Sequence, residues 1–448
     1  MGNPRGFMDF PRCENFCVDA ATRIEGFEYF HGSIPDEERF EQASRCMNCG
    51  VPFCQAGLQL QGKLFGCPLH NLIPEWNDQL YHGNLEEALR RLLETNVLPE
   101  FTGYVCPAPC EKACACGKVG GSVCINDNER YIIDTAFEQG LMEPKPPMKR
   151  SGMRVAVVGS GPAGLTAAIL LNRRGHAVTV YERDTTPGGL LAYGIPNMKL
   201  PKEVVARRIA LMRAEGIQFE CGVDVGRDAT VDELREAYDA VVVAIGAQEP
   251  RVVAFDGEAQ GVCFALDYLG AVVAQQLGEA PLPAVFDAAG KTVAVVGAGD
   301  SANDCIATAI RQGAASVMQL IRRPASDYAP MSDYAHEEAA AVFADDIRRF
   351  GTKVKAVVSR EDGSLKQLVL TSEDGEQTVD ADLLVIASGF SGRQAYVMEA
   401  CALGEQDGVF LAGDARLDAS TLVVKAMADA RAVARAVDIY LMGYSSIR

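Results

Sequence analysis

Fifteen cysteines stand out in this 448-residue chain as residues whose types and spacing could do chemistry, and eleven of them lie before residue 125. Cys46-x2-Cys49-x4-Cys54 is followed by Cys67-Pro68, then by Cys106-Pro107-x2-Cys110-x3-Cys114. Thiolates this closely spaced can share a metal centre, and ligands drawn from two separated segments would fold the chain around it. Zinc is the main rival to iron–sulfur. Zinc ribbons ask for paired Cys-x2-Cys knuckles, and only one such pair occurs here, whereas Cys-Pro after a cluster cysteine is common in ferredoxin-like sites. The pattern favours iron–sulfur. Cys13 and Cys17 fit no ligand position and read as structural.

A second kind of chemistry is written in two glycine turns. Met153 to Val158 leads into Gly159-Ser160-Gly161-Pro162-Ala163-Gly164, and Thr292 to Val296 into Gly297-Ala298-Gly299-Asp300-Ser301-Ala302, each followed by a helical stretch. Such a turn lets the backbone approach a pyrophosphate and aims the next helix's N–H groups at it. After the first turn, a strand predicted over Ala177 to Tyr181 ends at Glu182, where a carboxylate can accept hydrogen bonds from an adenosine ribose. The order strand, turn, helix, strand, acid argues against a tight turn without a ligand. The strand after the second turn, Ser316 to Ile321, ends instead in Arg322-Arg323. Guanidinium groups suit a ribose 2′-phosphate, so this unit favours NADPH over NADH, the bland alternative being a solvated strand edge.

The elements that must position these motifs fall into distinct stretches. Up to about residue 142 the chain is cysteine-rich and broken by turn signals, with a helix predicted over Asn84 to Thr95 from the spacing of Leu85, Ala88, Leu89 and Leu92. Glu143 to Arg150 holds three prolines among polar residues and reads as a linker. Beyond it, short β-branched runs alternate with helical stretches, as in parallel sheets covered by helices. The formal net charge of −18 argues against nucleic-acid and membrane-surface binding. No stretch approaches the ~18–20 apolar residues that cross a bilayer. Met1 to Arg12 lacks the apolar run of a signal peptide, and Gly6 stands where a myristoylation signal wants Ser or Thr. The expectation is a cytoplasmic protein whose cysteines are not disulfides.

The first glycine unit continues into Gly188-Gly189-Leu190-Leu191-Ala192-Tyr193-Gly194-Ile195-Pro196, and the chain closes with Gly408-Val409-Phe410-Leu411-Ala412-Gly413-Asp414. With the second unit, this resembles the flavoprotein disulfide-reductase architecture. The resemblance implies an α/β fold of two Rossmann-like dinucleotide-binding domains, for FAD and NADPH, preceded by a mainly helical iron–sulfur domain. The boundaries expected are 1–150 for the head with its linker, 151–265 with 385–448 for FAD, and 266–384 for NADPH. FAD falls to Gly159, Gly161, Pro162, Ala163, Gly164, Glu182, Gly189 and Leu190, with Gly413 and Asp414 by its ribityl and phosphate region. NADPH falls to Gly297, Gly299, Asp300 and Ser301 with Arg322 and Arg323, and Gly246 and Gly389 lie on the crossings between domains. The active dithiol of the disulfide-reducing members is missing, because Cys221, Cys263, Cys305 and Cys401 are scattered singly and read as ordinary buried cysteines.

In the head, Arg45-Cys46-Met47-Asn48-Cys49-Gly50-Val51-Pro52-Phe53-Cys54, Gly66 to Asn77, Phe101-Thr102-Gly103 and Val105 to Glu111 resemble the N-terminal domain of the glutamate synthase small-subunit family. Dihydropyrimidine dehydrogenase and the flavin subunits of ferredoxin-linked transhydrogenases share that domain. The resemblance implies two interleaved [4Fe-4S] clusters, one on Cys46, Cys49, Cys54 and Cys114, the other on Cys67, Cys106 and Cys110 with Glu129 as fourth ligand. Twelve residues separate Cys54 from Cys67, longer than in compact members, and the extra thiols Cys116 and Cys124 could each replace Glu129. It further implies NADPH oxidation at FAD, with electrons passed through the clusters to a large (alpha) subunit that makes L-glutamate from L-glutamine and 2-oxoglutarate, hence a hetero-oligomer. Amidotransfer in that family uses an N-terminal cysteine, whereas removal of Met1 here would expose Gly2. Hydride transfer needs stacked rings more than an acid or base, so no catalytic side chain is expected. Two rival functions stay open: an electron-transfer subunit serving ferredoxin or pyrimidine reduction, and a zinc-stabilised scaffold without catalysis, which the intact glycine turns disfavour.

Overall fold

The computed structural model describes residues 3–13, 17–328, 333–394, 396 and 408–447; Met1, Gly2 and Cys401 lie outside them. The head is mainly helical, with helices Asp36–Ser44, Ile73–Tyr81, Leu85–Thr95, Pro99–Val105 and Ile125–Glu138. Leu85–Thr95 starts after Asn84, carries Glu86 and Glu87 in the first turn where the helix dipole favours acids, and buries Ala88, Leu89 and Leu92. That is the stripe its spacing predicts. Trp76, Leu80, Phe101, Ile132 and Ile133 fill the space between the helices.

Between Cys54 and Cys67 the chain forms an antiparallel hairpin of β1 (Leu58–Leu60) and β2 (Lys63–Phe65). Gln61 and Gly62 both take positive φ, 50° and 75°, as a two-residue turn matching the strand twist requires. The extra residues of the long Cys54–Cys67 gap are spent on this hairpin. The linker 143–150 has no regular structure and is largely exposed.

The first nucleotide sheet contains β3 (Arg154–Val158), β4 (Ala177–Glu182), β5 (Gln218–Cys221) and β6 (Ala240–Val243), joined from far along the chain by β17 (Val409–Leu411). All pairings are parallel, in the order β17-β6-β3-β4-β5. The last four residues of β3, Val-Ala-Val-Val, are buried because helices cover both faces. After this sheet the chain crosses through β7 (Glu249–Pro250) and returns through β16 (Phe390–Gly392), which pair antiparallel. Gly246 and Gly389 precede these two strands with φ of 73° and 83°.

The second sheet is built from β8 (Val262–Phe264), β9 (Thr292–Val296), β10 (Ser316–Ile321), β11 (Arg348–Phe350) and β15 (Leu383–Ile386), in the order β11-β10-β9-β15-β8. A three-stranded antiparallel sheet, β12 (Lys353–Ser359), β13 (Leu365–Ser372) and β14 (Gly375–Asp380), projects from it. Leu384 pairs with Val262 and Ile386 with Phe264 in parallel, so β8 lies beside β15 in this sheet. The three residues of β8 are too few to show a strand pattern before the helix Ala265–Gln276 begins.

The head is not a separate bead. Its core and that of the first nucleotide unit form one cluster, and the buried pair Arg208–Glu100 joins them through two parallel contacts. Its N-terminal arm reaches the other way: Val18, Ile24, Phe27 and Phe30 pack on the core of the second unit. There Arg23 donates to Glu338 (2.6 Å), and Arg311 donates to the same carboxylate (2.6 Å). Asn197 of the first unit donates to the Phe27 carbonyl (3.0 Å), so the arm clasps both nucleotide units.

Candidate functional site

The first glycine turn opens onto a deep cleft lined by Gly159, Gly161, Pro162, Ala163, Glu182, Gly189, Leu190, Gly246 and Asp414. Gly159 sits at φ +96°, and a Cβ there would lie 2.6 Å from the Ala244 carbonyl oxygen, so no other residue fits between β3 and β6. The helix Pro162–Arg173, which Gly164 enters, points its N-terminus at the cleft. Glu182 is fixed rather than free: one carboxylate oxygen accepts from the Ser160 N–H (2.9 Å) and hydroxyl, the other from the Asp184 N–H (3.0 Å). Ser160 in turn accepts from the Gly188 N–H (2.7 Å), tying the two glycine-rich segments together. At the far end Thr421 donates to Asp414 through its N–H (2.9 Å) and its hydroxyl, and burial raises the Asp414 pKa. Gly413 donates its N–H to Asp429 (2.7 Å). The roles of Ser160 and Thr421 were not legible from the motif, because both act through another residue.

The second glycine turn repeats the geometry. Gly297 lies at φ +146°, where a Cβ would meet the Ala387 oxygen at 2.4 Å, and Gly299, Asp300 and Ser301 start the helix Asp300–Arg311. Burial raises the Asp300 pKa, and the nearby Lys199 ammonium opposes that. Lys199, from the first unit, is ion-paired with Asp304 (2.9 Å) across the junction of the two units. Arg322 and Arg323 project into solvent where β10 ends, and among the described residues neither side chain is paired with an acid.

In the head the cysteines converge as two sets. Cys54 feels the charges of Cys46, Cys114 and Cys49, and Cys46 those of Cys114 and Cys49, so these four thiols share one locality. Cys67, Cys106, Cys110 and Glu129 line a single small cavity. Glu129 is buried and accepts from Asn96 (2.8 Å) and from the Thr102 hydroxyl, and burial raises its pKa to about 7. Burial likewise raises Cys46 to about 12 and Cys67 to about 11. Cys116 stands beside Cys114 and donates to the Arg45 carbonyl (3.2 Å). Cys124 donates to the Cys13 carbonyl (2.8 Å), and neither extra thiol lines the Glu129 cavity. Cys17 is exposed beside His31, Sγ to Nδ1 3.1 Å, while Cys263 and Cys305, far apart in sequence, are buried near each other in the core of the second unit and Cys221 is half-buried.

The glycine turns leave room for a pyrophosphate, and the thiols with Glu129 are the donor types an iron–sulfur cluster takes, although among the described residues no three of them stand close enough together to hold a single metal ion. The flavin-type cleft is lined by Val423 and the Glu129 cavity by Val424, consecutive residues at the start of the helix Val423–Met442. Arg431 of that helix donates to the Leu69 carbonyl (3.1 Å) beside Cys67. The Cys67 set is thus the inner one, next to the cleft, and the Cys46 set is further out, next to the β1–β2 hairpin, where Cys67 N–H donates to the Cys54 carbonyl (2.7 Å).

A pair of nucleotide-binding sheets with a thiol-rich helical head defines a pyridine-nucleotide flavoprotein carrying iron–sulfur clusters. Residues 153–430 match the family described as pyridine nucleotide-disulphide oxidoreductase, and residues 23–141 match dihydropyrimidine dehydrogenase domain II, 4Fe-4S cluster. The chain belongs to the glutamate synthase small-chain family. It is 43% identical to the glutamate synthase [NADPH] small chain of Bacillus subtilis over 99% of each chain. Identity to the Mycobacterium tuberculosis small chain is 40%, over 100% of this chain and 98% of that one. Glutamate synthase [NADH] of Schizosaccharomyces pombe is 38% identical over 98% of this chain, which spans only 23% of that longer protein. Among solved structures, Mycobacterium tuberculosis FprA shares the fold, with a TM-score of 0.51 at 18% identity over 67% of this chain and 85% of that one. The protein is therefore an NADPH-oxidising flavin and iron–sulfur electron-transfer subunit, with FAD, NADPH and [4Fe-4S] clusters as its cofactors. No helix among the described residues is long and apolar enough to cross a membrane.

Proposed function

We propose that this chain takes electrons from NADPH and delivers them to a separate large subunit that forms L-glutamate from L-glutamine and 2-oxoglutarate. The observation that carries the reading is the Val423–Val424 junction, one residue lining the flavin-type cleft and the next the inner thiol cavity, which brings the two redox sites within a shared wall of each other. When bound, FAD would supply an acceptor for a hydride's electron pair and the clusters would carry electrons singly, so together they would turn a two-electron donor into a one-electron supply.

The chain's own residues bind, orient and exclude water. The Gly159 and Gly297 turns admit pyrophosphates close to the backbone, and Arg322 and Arg323 select the 2′-phosphate. Ser160 holds Glu182 in place for the flavin's adenosine ribose, and Thr421 holds Asp414 toward its ribityl region. Cys46, Cys49, Cys54 and Cys114 hold the outer cluster; Cys67, Cys106, Cys110 and Glu129 hold the inner one, with Asn96 and Thr102 fixing the Glu129 carboxylate. Because burial keeps Cys46 and Cys67 protonated well above neutrality, loading the clusters must release protons. The head (to about 150), the flavin unit (about 151–261 with 387–447) and the NADPH unit (about 262–386) divide these tasks. All fourteen described cysteines are free thiols, which suits a reducing cytoplasm.

The test is anaerobic purification with the large subunit. About eight irons and one FAD per small chain are expected for two four-iron clusters, together with NADPH oxidation that requires glutamine, 2-oxoglutarate and both chains. Cofactors bound without that requirement would point to a different acceptor.

A further inference from the structure

We propose that the β1–β2 hairpin and the Cys49–Cys54 loop form the surface on which the large subunit docks, an inference that rests on the function proposed above. Four large apolar side chains are exposed within ten residues: Val51 at 75%, Phe53 at 52%, Leu58 at 49% and Leu60 at 54%. All three residues of β1 are exposed, and among the described residues β1 pairs only with β2, which leaves its outer edge with unused N–H and C=O groups. Leu58 and Leu60, two apart, share one face. An apolar, unpaired strand edge is a template for association that soluble proteins ordinarily blunt with charge.

Here charge is withheld. From Arg45 to Pro74 there is no Asp or Glu, in a chain with 60 acids among 448 residues, whose average would place about four in such a stretch. The only charged residue on the hairpin is Lys63. The patch is therefore not excluded from contact by the −18 charge of the rest of the chain.

The position of the patch names its occupant. Val51 and Phe53 lie between Cys49 and Cys54 of the outer set, and the hairpin base is fastened to both sets through Cys67 N–H to the Cys54 carbonyl (2.7 Å) and Gly66 N–H to the Pro109 carbonyl (3.2 Å). The Phe53 and Phe65 rings meet edge to face at 6.4 Å, linking the loop to the hairpin. Electron transfer falls steeply with distance, so an acceptor must cover the face over the outer set. In the Schizosaccharomyces pombe relative the matching region is 23% of one longer polypeptide, so there a larger partner region is held permanently within reach. The large subunit is expected to meet Leu58 and Leu60 with an apolar surface.

The test uses the cofactor-loaded chain with the purified large subunit. In a Leu58→Glu/Leu60→Glu variant, association should weaken at least tenfold, and glutamine-dependent NADPH oxidation at limiting concentration should fall in step. Iron content and NADPH oxidation by ferricyanide should stay at the wild-type level. Unchanged association overturns the proposal. Hydrogen exchange of the wild-type chain gives an independent reading: amides 57–66 should become protected when the large subunit is added. A wild-type chain that couples NADPH to glutamine but leaves these amides unprotected overturns the docking surface alone. A wild-type chain that neither binds nor couples overturns the functional reading and the docking surface together. Protection that depends only on this chain's own concentration marks a self-association face and also overturns the proposal.

Discussion

Replacing Arg322 and Arg323 by Ala should separate NADPH from NADH. Both side chains are exposed at the end of β10 and, among the described residues, neither is engaged by an acid, so their donors are free for a ligand and their removal disturbs no internal contact. A charge-assisted hydrogen bond to a phosphate contributes about 1.5–3 kcal/mol, and solvent screening of exposed groups brings the pair's joint contribution to ~1–3 kcal/mol. That corresponds to roughly a 5- to 150-fold weaker NADPH affinity, with NADH affinity changed less than about twofold. Equilibrium titration of each nucleotide against wild type and double variant gives the comparison. Because the screening length is about 8 Å at physiological salt, the wild-type preference should also shrink as salt rises. Equal losses for both nucleotides, or a preference indifferent to salt, would refute the assignment of these arginines to a 2′-phosphate.

Three further outcomes follow from other parts of the structure. Glu129→Ala should lower the iron content from about eight to about four per chain while FAD is retained, since only the inner set loses a ligand; iron and flavin analysis of the anaerobically prepared variant checks it. Glu338→Ala should destabilise the chain by about 3–5 kcal/mol, read from denaturant midpoints, because the nearly dry Arg23 and Arg311 would lose their shared carboxylate. Burial, then the Arg130 charge, lowers the His31 pKa to about 4, against about 6.5 in an unfolded chain. The folded arm then binds fewer protons than the unfolded chain between those values, so stability present above pH 6.5 is lost as pH falls toward 4. The loss is about 2 kcal/mol at pH 5, and His31→Gln should flatten that slope in denaturant midpoints measured at pH 7 and 5.

The parts of the fold legible in the sequence are those with local signatures. The strands Thr292–Val296 and Ser316–Ile321 and the helix over Leu85–Thr95 lie where β-branched runs and helical spacing put them, because each pattern is contained in one element. Cys67, Cys106, Cys110 and Glu129 line one cavity to which Cys116 and Cys124 do not contribute, but among the described residues no three ligands stand close enough to hold a metal ion, so the spacing of the cysteines indicates which ones lie near each other and not a finished site. What was hidden depends on distant residues. Arg23 and Glu338 are 315 positions apart, and nothing near either announces the other. Ser160 looks like a filler in its turn until Glu182 closes on it, 22 residues later. The hairpin was visible only as an unusually long gap, since Leu-Gln-Leu-Gln-Gly-Lys-Leu-Phe is too short to separate strand from loop by periodicity.

The returning strand β17 and the helix that follows it have a consequence for how the protein is made. Until residues 409–424 have left the ribosome, the first sheet lacks an outer strand, and the Val423–Val424 wall of both the cleft and the inner cavity does not exist. More than 250 residues separate β17 from the strand β3 that opens the same sheet. Domain-by-domain maturation during translation is therefore closed to the flavin unit. The nascent chain must keep its thiols reduced and its half-built sheet out of aggregation until residues 409–424 have been made, and FAD loading waits for them.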